Sequence, residues 1–572
     1  MHDVVIRGGT IVDGTGAPSY VGDVAIDGDR ITEVGGKAGP ARRDIEASGK
    51  LVTPGWVDIH THYDGQATWD PVLAPSSWHG VTTILFGNCG VGFAPVRRRD
   101  RDCLIDLMEG VEDIPGIALA EGLRWDWESF PEFMDALERL PRSIDVAAQI
   151  PHHPLRVYVM GDRAVRREAA TVEDIAAMHR LAAEGLRAGA FGFTTSRTEQ
   201  HKTTAGELVP GRHAEEIELL GIGRALGEVG AGAFGMLSDF EDEAAEFNWL
   251  TRLGRETGRP LWFLLTDRNS DPARWRRLMD RVRRARAAGA SLTAQVAGRP
   301  VGVILGLTTS LSPFTASPTF AGLAGLPVPE RLARLRDPAV RQAILAEPPS
   351  EELLAVLPPL QRPIATRWDR MYVLGDDPNY EPDPAHSIAA MAARTNQSPA
   401  EFCYDCLTGA AGDRMLFFPV TGYVRGNLEP IREMLTDPAT LLGLSDGGAH
   451  CGQICDSSLP SFMLTHWVRD RSRGPRLALE FVVKRQTSET ADFFGFNDRG
   501  RLAPGLKADV NVIEFDRLRL HHPELVHDLP AGGKRLVQRV DGYAATLVSG
   551  VPIFEHGEDT GARPGQLVRA GR

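Results

Sequence analysis

Two textures of hydrophobic patterning divide the chain. At its start, short apolar runs (Val4–Ile6, Thr10–Val12, Asp23–Ile26, Ile31–Val34) alternate with Gly8-Gly9, Asp13-Gly14 and Asp27-Gly28-Asp29. Asp-Gly between such runs is a hairpin signal. The C-terminal end repeats the texture in Ala508–Phe515 and Ala545–Val548, with Ser549-Gly550 as a turn. The two ends together predict one small composite β-sandwich, from residues 1–54 and 490–572. Between them, β-type runs recur at Val81–Phe86, Asp145–Ile150, Ala190–Thr195, Phe234–Ser238, Leu261–Thr266, Leu292–Val296 and Leu441–Ser445. Residues 172–187 and 214–227 carry the periodicity of amphipathic helices. The apolar run from Leu51 to His62 brings the strands to eight. Strands alternating with helices imply a parallel sheet, and eight is the number a TIM-type (β/α)8 barrel needs. Residues 55–489 are assigned to this α/β unit. A doubly wound sheet would show a Gly-rich phosphate turn after its first strand, and the sequence has none. The Pro-rich, helix-like stretch 312–400 predicts an insertion or lid between the last two strands.

Composition narrows the class. With 572 residues, 42% apolar and 24% charged, the chain reads as a large globular enzyme rather than one compact core. A net charge of −13 without a basic stripe argues against nucleic-acid binding. The arginine patches (Arg97-Arg98-Arg99; Arg276-Arg277 with Arg281, Arg283 and Arg284) read as solvated surface. The start has no basic segment followed by an apolar one, and no run suffices for a membrane span, so the expected compartment is cytoplasmic. Six cysteines in so long a chain make no disulfide framework, and Cys403 and Cys406 read as structural thiols. A homo-oligomer is compatible with this composition.

The candidate chemistry starts at His60-Thr61-His62. Side chains two apart on a strand point the same way, so the pair offers two imidazoles side by side. Neutral imidazole is a good zinc ligand. Histidine pairs at this spacing also occur by chance in a chain with 16 histidines. Here the pair ends a buried run, where a barrel enzyme keeps its chemistry.

These residues carry a resemblance. Gly55-Trp-Val-Asp-Ile-His-Thr-His62, framed by a split β-domain, resembles the amidohydrolase superfamily. Gly87-Asn-Cys-Gly-Val-Gly-Phe-Ala-Pro95, Gly189-Ala-Phe-Gly-Phe-Thr-Thr195, Leu444-Ser-Asp-Gly447, Asp498-Arg-Gly500 and Leu506-Lys-Ala-Asp509 are similar to the N-acyl-D-amino-acid deacylase (D-aminoacylase) group. The likeness runs over nearly the whole chain. It implies His60 and His62 as metal ligands, Cys89 as a thiolate ligand or bridge, and Asp446 as ligand and general base, around one or two Zn2+ or other divalent ions. The alternative for Cys89 is a buried small residue.

The sequence also departs from that group. The group's fifth and sixth strands each end in a histidine ligand, and here they read Phe234-Gly-Met-Leu-Ser-Asp-Phe240 and Leu261-Trp-Phe-Leu-Leu-Thr-Asp267. The group's tyrosine-containing segment, which there helps hold the substrate carboxylate, here reads Ala294-Gln-Val-Ala-Gly-Arg-Pro300, which puts an N-acyl-D-amino-acid substrate in question. Asp239 and Asp267 could supply oxygen in place of the missing histidines, or be loop acids. His201 is a candidate ligand or substrate contact, and the neighbouring Lys202 a weaker one. His153, after the third strand, and Arg197 and Arg299 are candidate substrate contacts. His450 is a candidate catalytic imidazole near Asp446.

Three functions are weighed. The first is a metal-dependent amidohydrolase that cleaves the C–N bond of an N-acyl amino acid, with Asp446 as general base. The second is a hydrolase of another small amide (dipeptide, cyclic or hydrophobic). The third is a non-catalytic relative without metal. Metal content and a substrate panel separate them.

Overall fold

The structure is a computed structural model and describes residues 1–409 and 411–571. It is mixed α/β. Eight parallel segments follow one another: β1 (Trp56–Asp58), β2 (Val81–Phe86), β3 (Asp145–Ala148, resuming as Ile150–Pro151), β4 (Gly192–Arg197), β5 (Ala233–Ser238), β6 (Leu261–Leu264), β7 (Leu292–Val296) and β8 (Thr440–Leu442). Representative registers are Thr83 opposite Asp145, Phe193 opposite Ile150, Phe234 opposite Leu261 and Ala294 opposite Thr440. Past the ends of β1 and β8, a parallel bridge joins Thr61 to Gly447. The His62 N–H donates to Gly447 O at 2.7 Å, and the Asp446 N–H to His60 O at 3.1 Å. First and last strands are thereby tied at the end where the chemistry sits.

The run from Leu51 to His62 is not a single strand, as its pattern suggested. It splits at Gly55. Leu51–Pro54 pairs with Val510–Ile513, whereas β1 pairs with β2. A Cβ at residue 55 would stand 2.2 Å from the Thr82 side chain, so glycine lets the chain pass closely from one sheet to the other. Strands Leu51–Pro54, His2–Ile11, Tyr20–Asp27, Arg30–Val34, Ala41–Glu46, Val510–Ile513, Tyr543–Val548, Val551–Glu555 and Glu558–Asp559 form a nine-stranded sheet drawn from both ends of the chain. Ile6, Val24, Val52, Val510, Val512 and Leu547 pack on it.

Local chemistry fixes the helices. In Val172–Arg187, Thr171 and Asp174 form a capping box, and Met178, Ala182, Ala183 and Leu186 face inward. Between β7 and β8 the chain leaves the ring. There Gly302–Leu305, Met415–Pro419 and Tyr372–Leu374 pair antiparallel, and helices enclose a separate core around Leu335, Tyr404 and Phe418. Cys403 is buried in that core, on the helix Pro399–Thr408. No helix among the described residues is long and apolar enough to cross a membrane.

A buried ion cluster fastens the terminal sheet to the ring. Asp145, on β3, accepts from Arg499 Nη1 at 2.5 Å and from Lys507 Nζ, and its other oxygen accepts the Gln566 N–H at 2.8 Å. Burial pushes the Asp145 carboxyl up, but Lys507 and Arg499 outweigh it and hold the group below the usual aspartate range. Asp145→Asn would leave two buried cations without their shared anion, which costs roughly 3–5 kcal/mol. Urea unfolding at pH 7 should show a loss of that order. The folded pKa is depressed, so this contribution is complete above the unfolded value of about 3.9 and is lost as pH falls through the folded one. The acid limb of the stability curve should therefore be shallower in Asp145→Asn than in the parent.

Candidate metal centre

The C-terminal ends of β1, β2, β7 and β8 converge on one buried cluster. His60 and His62 follow β1, with 0% and 1% exposure. His60 Nδ1 donates to Gln295 Oε1 on β7 at 2.6 Å. That bond fixes the ring and leaves Nε2 free to ligate. His60 Nε2 lies 3.6 Å from Cys89 Sγ and 3.5 Å from Asp446 Oδ1. One donor atom from each of His60, His62 and Cys89 lies within 4.8 Å of the others. Cys89 sits on the turn Asn88–Gly90 after β2, held there by Asn88 Nδ2 donating to Thr61 O and Leu85 O.

The last strand delivers the carboxylate under strain. Leu444, Asp446 and His450 all have positive φ (63°, 48° and 51°). Non-glycine residues there cost energy that surrounding contacts must hold, and such strain clusters at functional sites. Asp446 Oδ1 is also 3.8 Å from His62 Nε2, and its Oδ2 is 4.0 Å from His450 Nε2.

Glu112 was not anticipated from the sequence. It ends the helix Arg101–Glu112 and is 1% exposed. Its Oε1 is 3.4 Å from His62 Nδ1 and its Oε2 3.5 Å from His450 Nε2. A signal existed: with Leu104, Met108 and Val111, Glu112 occupies the helix's inward stripe, where a carboxylate is out of place unless it serves a site.

The electrostatics of the cluster favour a positive charge beside its acids and thiol. Burial, with Asp456 and Asp58 nearby, pushes the Asp446 carboxyl well above its usual range. Burial, with Asp446 and Asp64, does the same to Glu112. Burial also drives His60 down to about 3, drives His62 far below its ordinary value, and raises the Cys89 thiol. His62 Nδ1 and Glu112 Oε1 are buried with no hydrogen-bond partner. A divalent cation would offset the burial penalty on the Asp446, Glu112 and Cys89 anions, while the neutral imidazole that burial favours is the form that ligates; two imidazoles, a thiolate and a carboxylate are zinc donors. The donor set fits such an ion.

Beside the cluster is a cavity of about 160 Å³ whose lining includes His62, Cys89, Glu112, His201, Asp446 and His450. Leu237, Phe240, Leu264, Leu265 and Val420 also line it, as do Arg268 and Arg274. Leu237 and Leu265 stand at the ends of β5 and β6, so apolar side chains face the cavity there. A more open groove of about 940 Å³, near Glu381 and Arg469, contains none of the cluster residues.

Several sequence candidates are placed elsewhere. Arg299 is buried against Asp456, with Nε to Oδ1 at 2.9 Å, and over the Tyr380 ring, so it is no free carboxylate anchor. Arg197 is engaged by Glu246. His153 is bound between Ser196 Oγ and the Gly211 N–H and does not line the cavity. Asp239 accepts from Thr198 Oγ1, the Glu199 N–H and Arg268. Asp267 is buried away from the cavity, facing the Val424 N–H at 3.4 Å. Lys202 Nζ donates to Ala355 O at 3.3 Å on the surface. His201 does line the cavity, outside the three-residue donor group.

A histidine pair, a cysteine and an aspartate gathered at the C-terminal ends of parallel strands define a metal-dependent hydrolase. The chain belongs to the amidohydrolase family, whose model matches residues 44–554. It is 28% identical over 578 residues to N-acyl-D-glutamate deacylase of Alcaligenes xylosoxydans xylosoxydans, covering 99% of this chain and 96% of that one. Its fold is similar to that of N-acyl-D-glutamate deacylase from Bordetella bronchiseptica, a structure with zinc and a phosphonate inhibitor (TM-score 0.65, 24% identity, 99% of each chain). It is likewise similar to a D-aminoacylase described as having a binuclear metal centre (TM-score 0.65, 23% identity, 100% of each chain).

Zinc-loaded protein should retain metal through dialysis, and His60→Ala or His62→Ala should lose it. The cobalt-substituted protein should show a thiolate-to-metal absorption that Cys89→Ser abolishes. Persistence of that band in Cys89→Ser would remove Cys89 from the ligand set. Glu112→Gln, which removes the carboxylate charge 3.4 Å from His62 Nδ1, should lower zinc affinity about 10–100-fold.

Proposed function

We propose that the chain hydrolyses the amide bond of an N-acyl amino acid carrying an apolar group, and that it does so on zinc held by His60, His62, Cys89 and Asp446. The eight parallel strands would then be a (β/α)8 barrel, with the terminal sheet as its β-sandwich. The observation that carries the reading is the convergence of those four buried side chains beside the cavity.

When bound, zinc supplies a nucleophile at neutral pH by lowering the pKa of water from 15.7 to about 7. The chain's own groups do the rest. Asp446 accepts the proton of the attacking water and returns it to the departing nitrogen, which an amine leaving group requires. Its backbone strain and its bond to His60 O hold the carboxylate against the cluster. Gln295 keeps His60 Nε2 facing inward. His450, near both Asp446 and Glu112, can carry a proton between the carboxylates. Among the described residues, the guanidinium groups lining the cavity are those of Arg268 and Arg274. Arg268 is tied to Asp239 Oδ1 at 3.1 Å and Arg274 to Asp239 O, which leaves further N–H groups for a substrate carboxylate. Leu237, Leu264, Leu265 and Phe240 favour an apolar acyl group or side chain over an acidic one, since a buried carboxylate there would lack a partner. The same wall keeps a second reading open, a hydrophobic amide with no carboxylate.

The test is a panel of N-acetyl and longer N-acyl D- and L-amino acids, dipeptides, cyclic amides and plain hydrophobic amides. Turnover of N-acyl amino acids with apolar side chains or long acyl groups is expected. Turnover confined to cyclic amides or dipeptides would refute the proposal, and turnover of amides lacking a carboxylate would favour the second reading. Asp446→Asn should keep zinc yet lose about 10²–10⁴-fold in kcat. Undiminished kcat would remove Asp446 as the base.

A further inference from the structure

Ser196 closes β4 and is fully buried. Its hydroxyl meets two imidazole nitrogens, His153 Nε2 and His201 Nδ1, each at 3.0 Å. A hydroxyl has one proton and two lone pairs, and among the described residues the buried Ser196 O–H has no acceptor besides these two nitrogens, so it stays satisfied only if one imidazole accepts from it while the other donates. The Gly211 N–H decides which way. It donates to His153 Nδ1 at 3.1 Å, so that nitrogen carries no proton. The His153 proton is then on Nε2, which donates to Ser196 Oγ. The serine's own proton has one acceptor left, His201 Nδ1. The proton of His201 is thereby fixed on Nε2. Among the described residues nothing accepts that N–H, and His201 lines the cavity with Cys89, Asp446 and His450.

We infer that His201 presents a fixed Nε2–H to the substrate carbonyl oxygen and holds the oxyanion formed when water adds to that carbonyl, rather than ligating the metal. The inference rests on the amide-hydrolase reading above and extends it to one more residue in contact with substrate. His201 keeps its proton throughout: the carbonyl π electrons move onto oxygen as water oxygen bonds to carbon, and return as the C–N bond breaks. With Nδ1 accepting from serine and Nε2 protonated, the ring has no lone pair for a cation. The expectation that His201 is a ligand is replaced by a donor role. The relay from Gly211 through His153 and Ser196 matters because a buried donor aimed in advance stabilises developing charge without reorganising. It also gives His153 a positioning role, in place of the substrate contact its sequence position suggested.

The experiment uses zinc-loaded, full-length protein. In protein labelled with 15N-histidine, His201 resonances are assigned by their loss in His201→Phe. The Nε2–H form is expected in the parent, and a mixture of forms in Ser196→Ala. His201→Phe should keep full zinc content and lose about 10²–10³-fold in kcat, with little change in KM. His201→Gln, whose amide can place an N–H near the former Nε2, should recover at least tenfold of that loss. A parent His201 in the Nδ1–H form, zinc loss in His201→Phe, or unchanged kcat would each overturn the inference. If the parent turns over no amide, the amide-hydrolase reading fails, while the labelling and zinc results still decide the tautomer and the ligand question.

Discussion

The site depends on how the first and last parallel strands are joined. Past their ends, β1 and β8 exchange two backbone hydrogen bonds, His62 N–H to Gly447 O and Asp446 N–H to His60 O. Without that register the imidazoles and the carboxylate would sit on neighbouring strands at no fixed separation. With it, Asp446 Oδ1 lies within 4 Å of both His60 Nε2 and His62 Nε2. The positive φ values at Leu444 and Asp446 are the cost of bending the chain so that the bonds form while the side chain turns inward. Gly55 serves the same end from the other side, because it lets one sequence run leave the terminal sheet and enter the ring.

A second constraint is electrostatic. Asp58, Asp64, Glu112 and Asp446 are all buried near the histidines, and burial pushes each carboxyl above its usual range. At the Asp145 cluster, by contrast, Arg499 and Lys507 neutralise the buried acid directly. The difference separates a structural ion cluster from a ligand site. One is complete within the protein, and the other is satisfied only when a cation joins it.

Much of this was legible along the chain. The spacing of His60 and His62 gave a shared direction, and the alternation of strands and helices gave eight parallel segments. Cys89 and Asp446 could be placed because their local motifs are continuous in sequence. Arg197 and Arg299 could not be judged, since each is claimed by an acid, Glu246 or Asp456, that only the tertiary structure brings near. Glu112 was readable only by noticing a carboxylate on an apolar stripe. The strand-five and strand-six departures were visible as absent histidines. What occupies the space was not, because neither Asp239 nor Asp267 turns toward it.

The two halves of the chamber therefore have different chemistry. Leucine offers no lone pair, so Leu237 and Leu265, which line the cavity at the ends of β5 and β6, cannot bind an ion there. What they offer is apolar surface, at about 25 cal/mol per Å² removed from water. In the proposed centre His60, His62, Cys89 and Asp446 would hold the ion. Gln295 fixes the His60 ring through its hydrogen bond, and the Glu112 carboxylate lies 3.4 Å from His62 Nδ1. His201 lines the same cavity with its Nδ1 bound to Ser196 Oγ, and in the role inferred for it Nε2 faces the substrate instead of the ion.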